Sequence, residues 1–174
     1  MTECKASDTP MEAKLNIVKK ESQISDNPYQ QLIGSLMYLA DLTRPDIAYS
    51  VGYLSQFNNC HNSEHWYYAK RVLRYLKGSK NVGLKYCKDG NVDIQGYVDS
   101  DWGSAKKLSA NPMFHNRTKH IDIRYHYCRE VICNKIVKVD FLPTDDMPAD
   151  MFTKSLVLVK HRKFMNMMGI VNVL

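Results

Sequence analysis

The chain has 174 residues, which is enough for one ordinary domain with a core of useful size. Hydrophobic residues make up 44% of it and charged residues 24%, and this balance excludes wholesale disorder and fibrous repeats. The formal net charge is +6, and the whole basic excess lies between Cys60 and Lys88, where seven lysines and arginines accompany one acid, Glu64. Such a concentration suits a phosphate backbone, although a solvated helix face followed by a lysine-rich turn would give the same pattern.

The sequence shows no signal for a membrane or for secretion. No apolar run approaches the ~20 residues that span a bilayer, and the first residues lack the apolar block of a secretory signal. We therefore expect a cytoplasmic or nuclear protein that is not secreted and has no membrane partner. The five cysteines form no paired framework, which fits reduced thiols.

The first part of the chain predicts a polar lead followed by helices. Residues 1–27 have few apolar anchors, which indicates an extended strap or linker. Asn27 and Pro28 then open a helix whose apolar residues recur at helical spacing. A second helix begins near Asp46, a residue that suits the positive start of a helix, and ends near Phe57.

The third predicted helix has the clearest signals, with Ser63 as its cap and Gly78 at its end. The side expected to be buried is apolar and consists of Trp66, Ala69, Val72, Leu73 and Leu76. Another side carries four cations, Lys70, Arg71, Arg74 and Lys77. Because one side of this helix is buried, we expect the four cations to stand together on a rigid rod as a nucleic-acid-binding face.

Beyond the third helix the pattern changes to short strands. Val82–Cys87 and Val92–Val98 are candidate strands that a turn would join. Residues 121–132 fit either a strand or a helix, and we prefer the helix for its length. Ile136–Leu142 is a further candidate strand, and a final helical segment opens at Pro148. The fold class is therefore α+β or α/β, with a helical part followed by a sheet with helices.

Two groups of carboxylates follow predicted strands. Asp99 and Asp101 stand at the end of one strand, and Asp145, Asp146 and Asp150 come after another. Nucleases and polymerases hold paired magnesium ions with such residues, because several negative oxygens must converge on the hydrated cations. Aspartate is also common in turns and helix caps, which is the alternative interpretation.

Weaker candidates also lie in and around the third helix. Cys60, His61 and His65 are metal-ligand residue types, but they are too few for a zinc site. The tyrosines of this helix are Tyr67, Tyr68 and Tyr75. They could stack on bases, but we favour the interpretation that they pack at the margin of the core.

Six ordered motifs carry a family resemblance. They are Tyr29–Ala40, Thr43–Ala48, Arg71–Gly78, Gly96–Trp102, Arg117–Ile121 and Ala149–Lys154. Together they resemble the Pol polyprotein of copia-type LTR retrotransposons. The first three resemble the segment that connects reverse transcriptase to RNase H, and the last three resemble RNase H motifs. The resemblance implies a strap at 1–27, a helical connection segment at 28–80 and a truncated RNase H-like domain at 81–174.

The resemblance also implies an internal deletion. Members of this family place a long block with two strands, a helix and two catalytic carboxylates after the Asp-Trp of the first RNase H strand. Here Trp102 and Gly103 run directly into Ser104. Of the four metal-binding carboxylates of the family, only the equivalents of Asp99 and Asp150 remain. Nothing matches the Tyr-x-Asp-Asp motif of the polymerase.

These observations favour an inactive Pol remnant with at most sequence-independent affinity for nucleic acid, either duplex or RNA–DNA hybrid. Lys119 and His120 are further candidate phosphate contacts. Magnesium is the cofactor of the family, but we expect none to bind here, because two aspartates cannot replace four. One alternative is an active two-metal ribonuclease H that uses Asp99, Asp150 and a recruited neighbour. Another is a scaffold that pairs with an intact Pol protein.

Overall fold

The computed structural model describes residues 3–17, 26–86, 88, 94–99, 127 and 129–173. The chain divides into two compact units, Met1–Tyr97 with Thr144–Leu174, and Val98–Pro143. The predicted domain limits, at residues 27 and 80, stay predictions.

Helices dominate the first unit. Its elements in chain order are α1 (Tyr29–Leu42), a 3₁₀ helix (Pro45–Ile47), α2 (Ala48–Ser55), α3 (Ser63–Gly78), β1 (Val82–Leu84), a second 3₁₀ helix (Thr144–Asp146), α4 (Asp150–Thr153), α5 (Leu158–Met167) and β2 (Ile170–Asn172). The three predicted helices of the first half are therefore present. Their starts differ slightly, since Pro28 caps α1 and Asn62 rather than Ser63 caps α3.

The main core lies between α1, α2 and α3. Apolar residues of these helices and of the first 3₁₀ helix meet there and are almost completely buried; they include Ile33, Leu36, Ile47, Val51, Leu54, Ala69 and Val72. Tyr29 is also buried, and its hydroxyl donates a hydrogen bond of 2.9 Å to the carbonyl of Leu54, which removes the cost of burying that polar group. Residues 3–17 contain neither helix nor strand, yet Met11 and Ile17 join this core.

A smaller second core lies under the carboxyl-terminal elements. Met151, Leu156, Phe164, Met165 and Ile170 form it. β1 pairs antiparallel with β2, so that Val82 lies opposite Asn172 and Leu84 opposite Ile170. Val82 and Leu84 also pack against this core, so the pairing ties the end of the chain to the segment that follows α3.

The predicted hairpin of Val82–Cys87 with Val92–Val98 is wrong in its pairing. β1 is shorter than predicted and its partner is β2, while residues 94–99 form no strand. Ile136–Leu142 is not a strand either. A strand requires a neighbour for its backbone N–H and C=O groups, and alternation in the sequence does not say which neighbour is present.

The described part of the second unit is short. Residues 127 and 129–133 are helical, in agreement with the helix preferred for 121–132 where the two overlap. Lys135 follows in the left-handed region, with φ of 56°, and ends the helix.

The observed mixture of helices with a small two-stranded sheet is compatible with an α+β class. The RNase H-like sheet stays a prediction. Within the described residues, no helix is both long and apolar enough to cross a membrane.

Candidate nucleic-acid interface

α3 is the element that presents the predicted cations. Its amino end is closed by a capping box, in which the Asn62 side chain accepts from the backbone N–H groups of Glu64 and His65. His65, Ala69, Val72 and Tyr75 form its buried side. Trp66, Leu73 and Leu76, expected in the core, are half-buried at its margin. The cations are therefore carried on a helix that is fixed at both its start and its rear face.

Two of the four cations contact the N-terminal segment, which we define as residues 3–17. The Arg71 guanidinium lies 3.0 Å from the Glu12 carboxylate and 3.3 Å from the Thr9 hydroxyl. Lys77 Nζ donates to the carbonyl of Cys4 at 2.7 Å. The segment predicted as a strap thus supplies acceptors to Arg71 and Lys77.

The other two cations lie over aromatic rings of α3 itself. Lys70 Nζ is 5.8 Å from the centre of the Trp66 ring, and Arg74 Cζ is 5.5 Å from the centre of the Tyr67 ring. Such positions allow a cation–π attraction. Neither Lys70 nor Arg74 forms an ion pair with another described residue. Lys70 is exposed, whereas Arg74 is half-buried and its backbone carbonyl accepts from the N–H of Ser7. A phosphate could contact either side chain without breaking an ion pair among the described residues.

The three tyrosines of α3 have different surroundings. Tyr67 is 48% exposed and meets Tyr68 edge-on, with ring centres 5.3 Å apart. Tyr68 is half-buried, and burial raises the pKa of its hydroxyl. Tyr75 is buried, and burial together with the neighbouring Asp46 carboxylate raises its pKa strongly. Core packing is confirmed for Tyr75, whereas Tyr67 faces solvent.

A buried polar network behind α3 was not found by sequence reasoning. Arg44 donates to both carboxylate oxygens of Asp46, at 2.9 and 2.7 Å, and to the Ser79 carbonyl at 2.9 Å. Tyr75 donates to Asp46 at 2.6 Å. Asp46 is only 3% exposed, so its charge depends on these two donors. The Arg-Pro-Asp spacing was the available signal, because a two-residue offset permits a bidentate ion pair.

His161 of α5 extends this network to the carboxyl-terminal part of the chain. Its Nε2 lies 3.2 Å from the carbonyl of Asp46, and its ring meets that of Tyr75 edge-on at 5.6 Å. Burial lowers the pKa of His161, against the opposing effect of the hydrogen bond to Asp46. The network therefore joins the residues around the first 3₁₀ helix, α3 and α5, and its role is structural.

In the first unit, each predicted metal carboxylate is paired with a lysine. Asp150 begins α4, is 2% exposed and forms an ion pair of 2.8 Å with Lys154. Asp99 belongs to the other compact unit. Asp145 pairs with Lys160, which lowers the pKa of its carboxyl, and Asp146 pairs with Lys163. In the part of the chain that the structure describes, no three potential metal-ligating side chains come together.

The remaining candidates have structural partners or lie elsewhere. His61 stacks on Tyr29 with ring centres 4.7 Å apart, and the side chain of His65 accepts from the backbone N–H of Asn62 in the capping box. Asp101, Lys119 and His120 lie outside the described residues.

Comparisons with known proteins identify relatives over nearly the whole chain. The Pol polyprotein of transposon TNT 1-94 from Nicotiana tabacum is 29% identical over 94% of this chain and 18% of its own length. That of transposon RE1 from Arabidopsis thaliana is 28% identical over 95% of this chain and 16% of its own length. Secreted RxLR effector protein 161 of Plasmopara viticola is 45% identical, over 43% of this chain and 53% of its own length. No family model and no solved structure matches.

The alignments with the two polyproteins are longer than the chain. The tobacco alignment extends over 247 positions, whereas 94% of 174 residues is about 164. The RE1 alignment extends over 242 positions, against about 165 residues of this chain. About 80 positions in each alignment therefore have no counterpart here. The chain spans less than a fifth of either polyprotein, and its homologues over nearly its whole length are retrovirus-related Pol polyproteins of the copia type.

Proposed function

We propose that this chain is a shortened remnant of the RNase H region of a transposon Pol polyprotein, without catalytic activity and with sequence-independent affinity for nucleic acid. The observation that carries the proposal is the alignment with Pol polyproteins over 94–95% of the chain. The surplus of about 80 aligned positions supports an internal deletion. A block of that size accommodates the two strands, the helix and the connections that the family resemblance places after Trp102.

The lack of activity is supported by the surroundings of Asp150. Two-metal cleavage requires carboxylate oxygens that converge on two ions ~3.5–4 Å apart. The Asp150 carboxylate is buried and paired with Lys154, and no third donor group joins it among the described residues. Around Asp150, the described residues therefore supply fewer carboxylates than a pair of magnesium ions requires.

Affinity for nucleic acid is supported by the exposed side of α3. Exposed Lys70 and half-buried Arg74 stand one turn apart, and both lack an ion-pair partner in the described part of the chain. Arg71 and Lys77 are held by the N-terminal segment. We therefore expect about two phosphate contacts rather than the four that the sequence indicated.

Titration of a labelled DNA duplex and an RNA–DNA hybrid at several salt concentrations tests this function. Two contacts give a slope of log affinity on log salt of about −1.8 on duplex. The double variant Lys70→Gln/Arg74→Gln should flatten the slope. Lys160→Gln/Lys163→Gln, which removes the same charge from α5, should leave it unchanged. Equal effects of the two double variants would refute an interface on α3.

A further inference from the structure

Beyond its charges, the exposed side of α3 carries an arrangement of rings. Trp66 and Lys70 are four residues apart, as are Lys70 and Arg74, and Tyr67 stands three residues before Lys70. With 3.6 residues per turn, these spacings place all four side chains on one side of the helix. The two cation–ring distances, 5.8 and 5.5 Å, show that the side chains are in contact.

Both rings are anchored, half-buried Trp66 by the core and exposed Tyr67 by a neighbouring ring. Trp66 packs against the main core with part of its surface. Tyr67 rests against the edge of Tyr68 at an interplanar angle of 80° and leaves 48% of its surface exposed. Rings held in this way lose little side-chain entropy when a flat ligand stacks on them.

Duplex and single-stranded nucleic acids expose different groups to these four side chains. A duplex presents phosphates but keeps the faces of its bases inside the stack, so it could use Lys70 and Arg74 but not the rings. A single strand presents both phosphates and base faces. Stacking of one base on an aromatic side chain is worth about 1–3 kcal/mol and does not depend on sequence.

We propose that Trp66, Tyr67, Lys70 and Arg74 form a binding site for single-stranded nucleic acid, with bases stacked on the rings and phosphates at the cations. This inference rests on the proposed affinity for nucleic acid and names its substrate class. Because Arg71 and Lys77 contact the N-terminal segment, the longer row of cations that a duplex could follow is interrupted. The site therefore favours the single strand.

The experiment compares three probes with the full chain at equal salt. They are a short oligothymidylate, an abasic oligonucleotide of the same length, and a duplex. The abasic probe retains the phosphates but has no base to stack. We expect the oligothymidylate to bind at least about fivefold more tightly than the abasic probe, which corresponds to the lower end of the stacking energy of one base. The salt slope on the oligothymidylate should be about −1.4, which is the value for two phosphate contacts on a single strand.

Variants separate the contribution of the rings from that of the charges. Tyr67→Leu should reduce the difference in affinity between the oligothymidylate and the abasic probe. The control is Tyr38→Leu, at a tyrosine of α1 that is 70% exposed, and it should leave this difference unchanged. If the duplex binds as tightly as the oligothymidylate and Tyr67→Leu has no effect, the single-strand site is refuted and the affinity of α3 stands. If none of the probes binds, both proposals fail.

Discussion

At the scale of single residues, Asp46 is a buried charge held by several partners. Its carboxylate accepts from Arg44 and Tyr75 inside the core, and its backbone carbonyl meets His161. A charge in this position is tolerated only while its partners remain, since removal of one leaves the others buried and unpaired. The sequence predicts Asp46 at the start of a helix, and the structure confirms this. Its burial and its contact with Tyr75 cannot be predicted from local spacing.

We expect Asp46→Ala to lower the free energy of unfolding by about 3–5 kcal/mol, because Arg44 would be left as an unpaired charge in the core. Tyr75→Phe should cost less, about 1–3 kcal/mol, since it removes one donor and leaves the ion pair. Urea unfolding followed by far-ultraviolet circular dichroism measures both. Asp8→Ala, at an exposed acid 4.0 Å from Arg162, is the control and should have no measurable effect. A similar loss in all three variants would contradict this view of the network.

The protonation of His161 makes a second prediction. Burial lowers its pKa in the folded chain, with Arg44 and Arg162 acting in the same direction and Asp46 opposing them, while its ring faces Tyr75. The unfolded chain therefore binds a proton more readily as the pH falls through the ordinary histidine value of ~6.5, and stability should decline below that pH. The urea midpoint should fall between pH ~7.5 and pH ~5.5, two values that bracket the ordinary histidine pKa. His161→Gln should make this fall smaller. An unchanged dependence on pH would contradict the assignment.

At the scale of elements, α3 and the N-terminal segment depend on each other. The helix could be predicted because its amphipathic period, caps and length are local properties. Its contacts with residues 3–17 could not, because they join positions about 60 to 70 residues apart through single side chains. The same limit explains why the pairing of β1 was not predicted, because its partner β2 lies near the carboxyl end of the chain. Local periodicity predicted the strand but not its neighbour.

Two glycines provide a matched test of the contact between the N-terminal segment and α3. Gly34 lies within α1, and a methyl group there would meet no other atom within 4 Å. Gly34→Ala should therefore stabilise the chain by about 0.5–1 kcal/mol. At Gly78 the new methyl group would lie 2.9 Å from Cβ of Ala6, too close for both to stay in place. Gly78→Ala should give no such gain, and equal increases in urea midpoint would show that the segment does not rest on the helix.

The ion pair between Arg71 and Glu12 gives a prediction for binding. Glu12→Gln should free Arg71 for a phosphate and make the salt slope on duplex DNA steeper by about 0.9. Asp8→Asn also removes one negative charge from the N-terminal segment. Because Asp8 lies near Arg162 of α5, this variant should leave the salt slope unchanged. Equal slopes for these two variants would mean that the N-terminal segment does not limit the interface.

At the scale of the whole molecule, the resemblance to copia-type Pol polyproteins was readable from ordered motifs, and the relatives confirm it. Those motifs are spread over most of the chain, so they identified the ancestry better than they identified the fold. Arg44 and Tyr75 belong to two of these motifs, and the structure joins them in one buried network. Asp99 and Asp150 also belong to motifs, but lie in different compact units. The motifs therefore predicted which proteins are related to this chain, but not which of their residues meet in space.

We propose that a Pol remnant with these carboxylates does not cleave nucleic acid. The most direct measurement is incubation of a labelled RNA–DNA hybrid with the full chain in magnesium or manganese, beside the RNase H region of an intact relative as a positive control. We expect the hybrid to stay intact with this chain at every metal concentration while the control degrades it. Metal-dependent cleavage of the RNA strand that disappears in both Asp99→Asn and Asp150→Asn would contradict the claim.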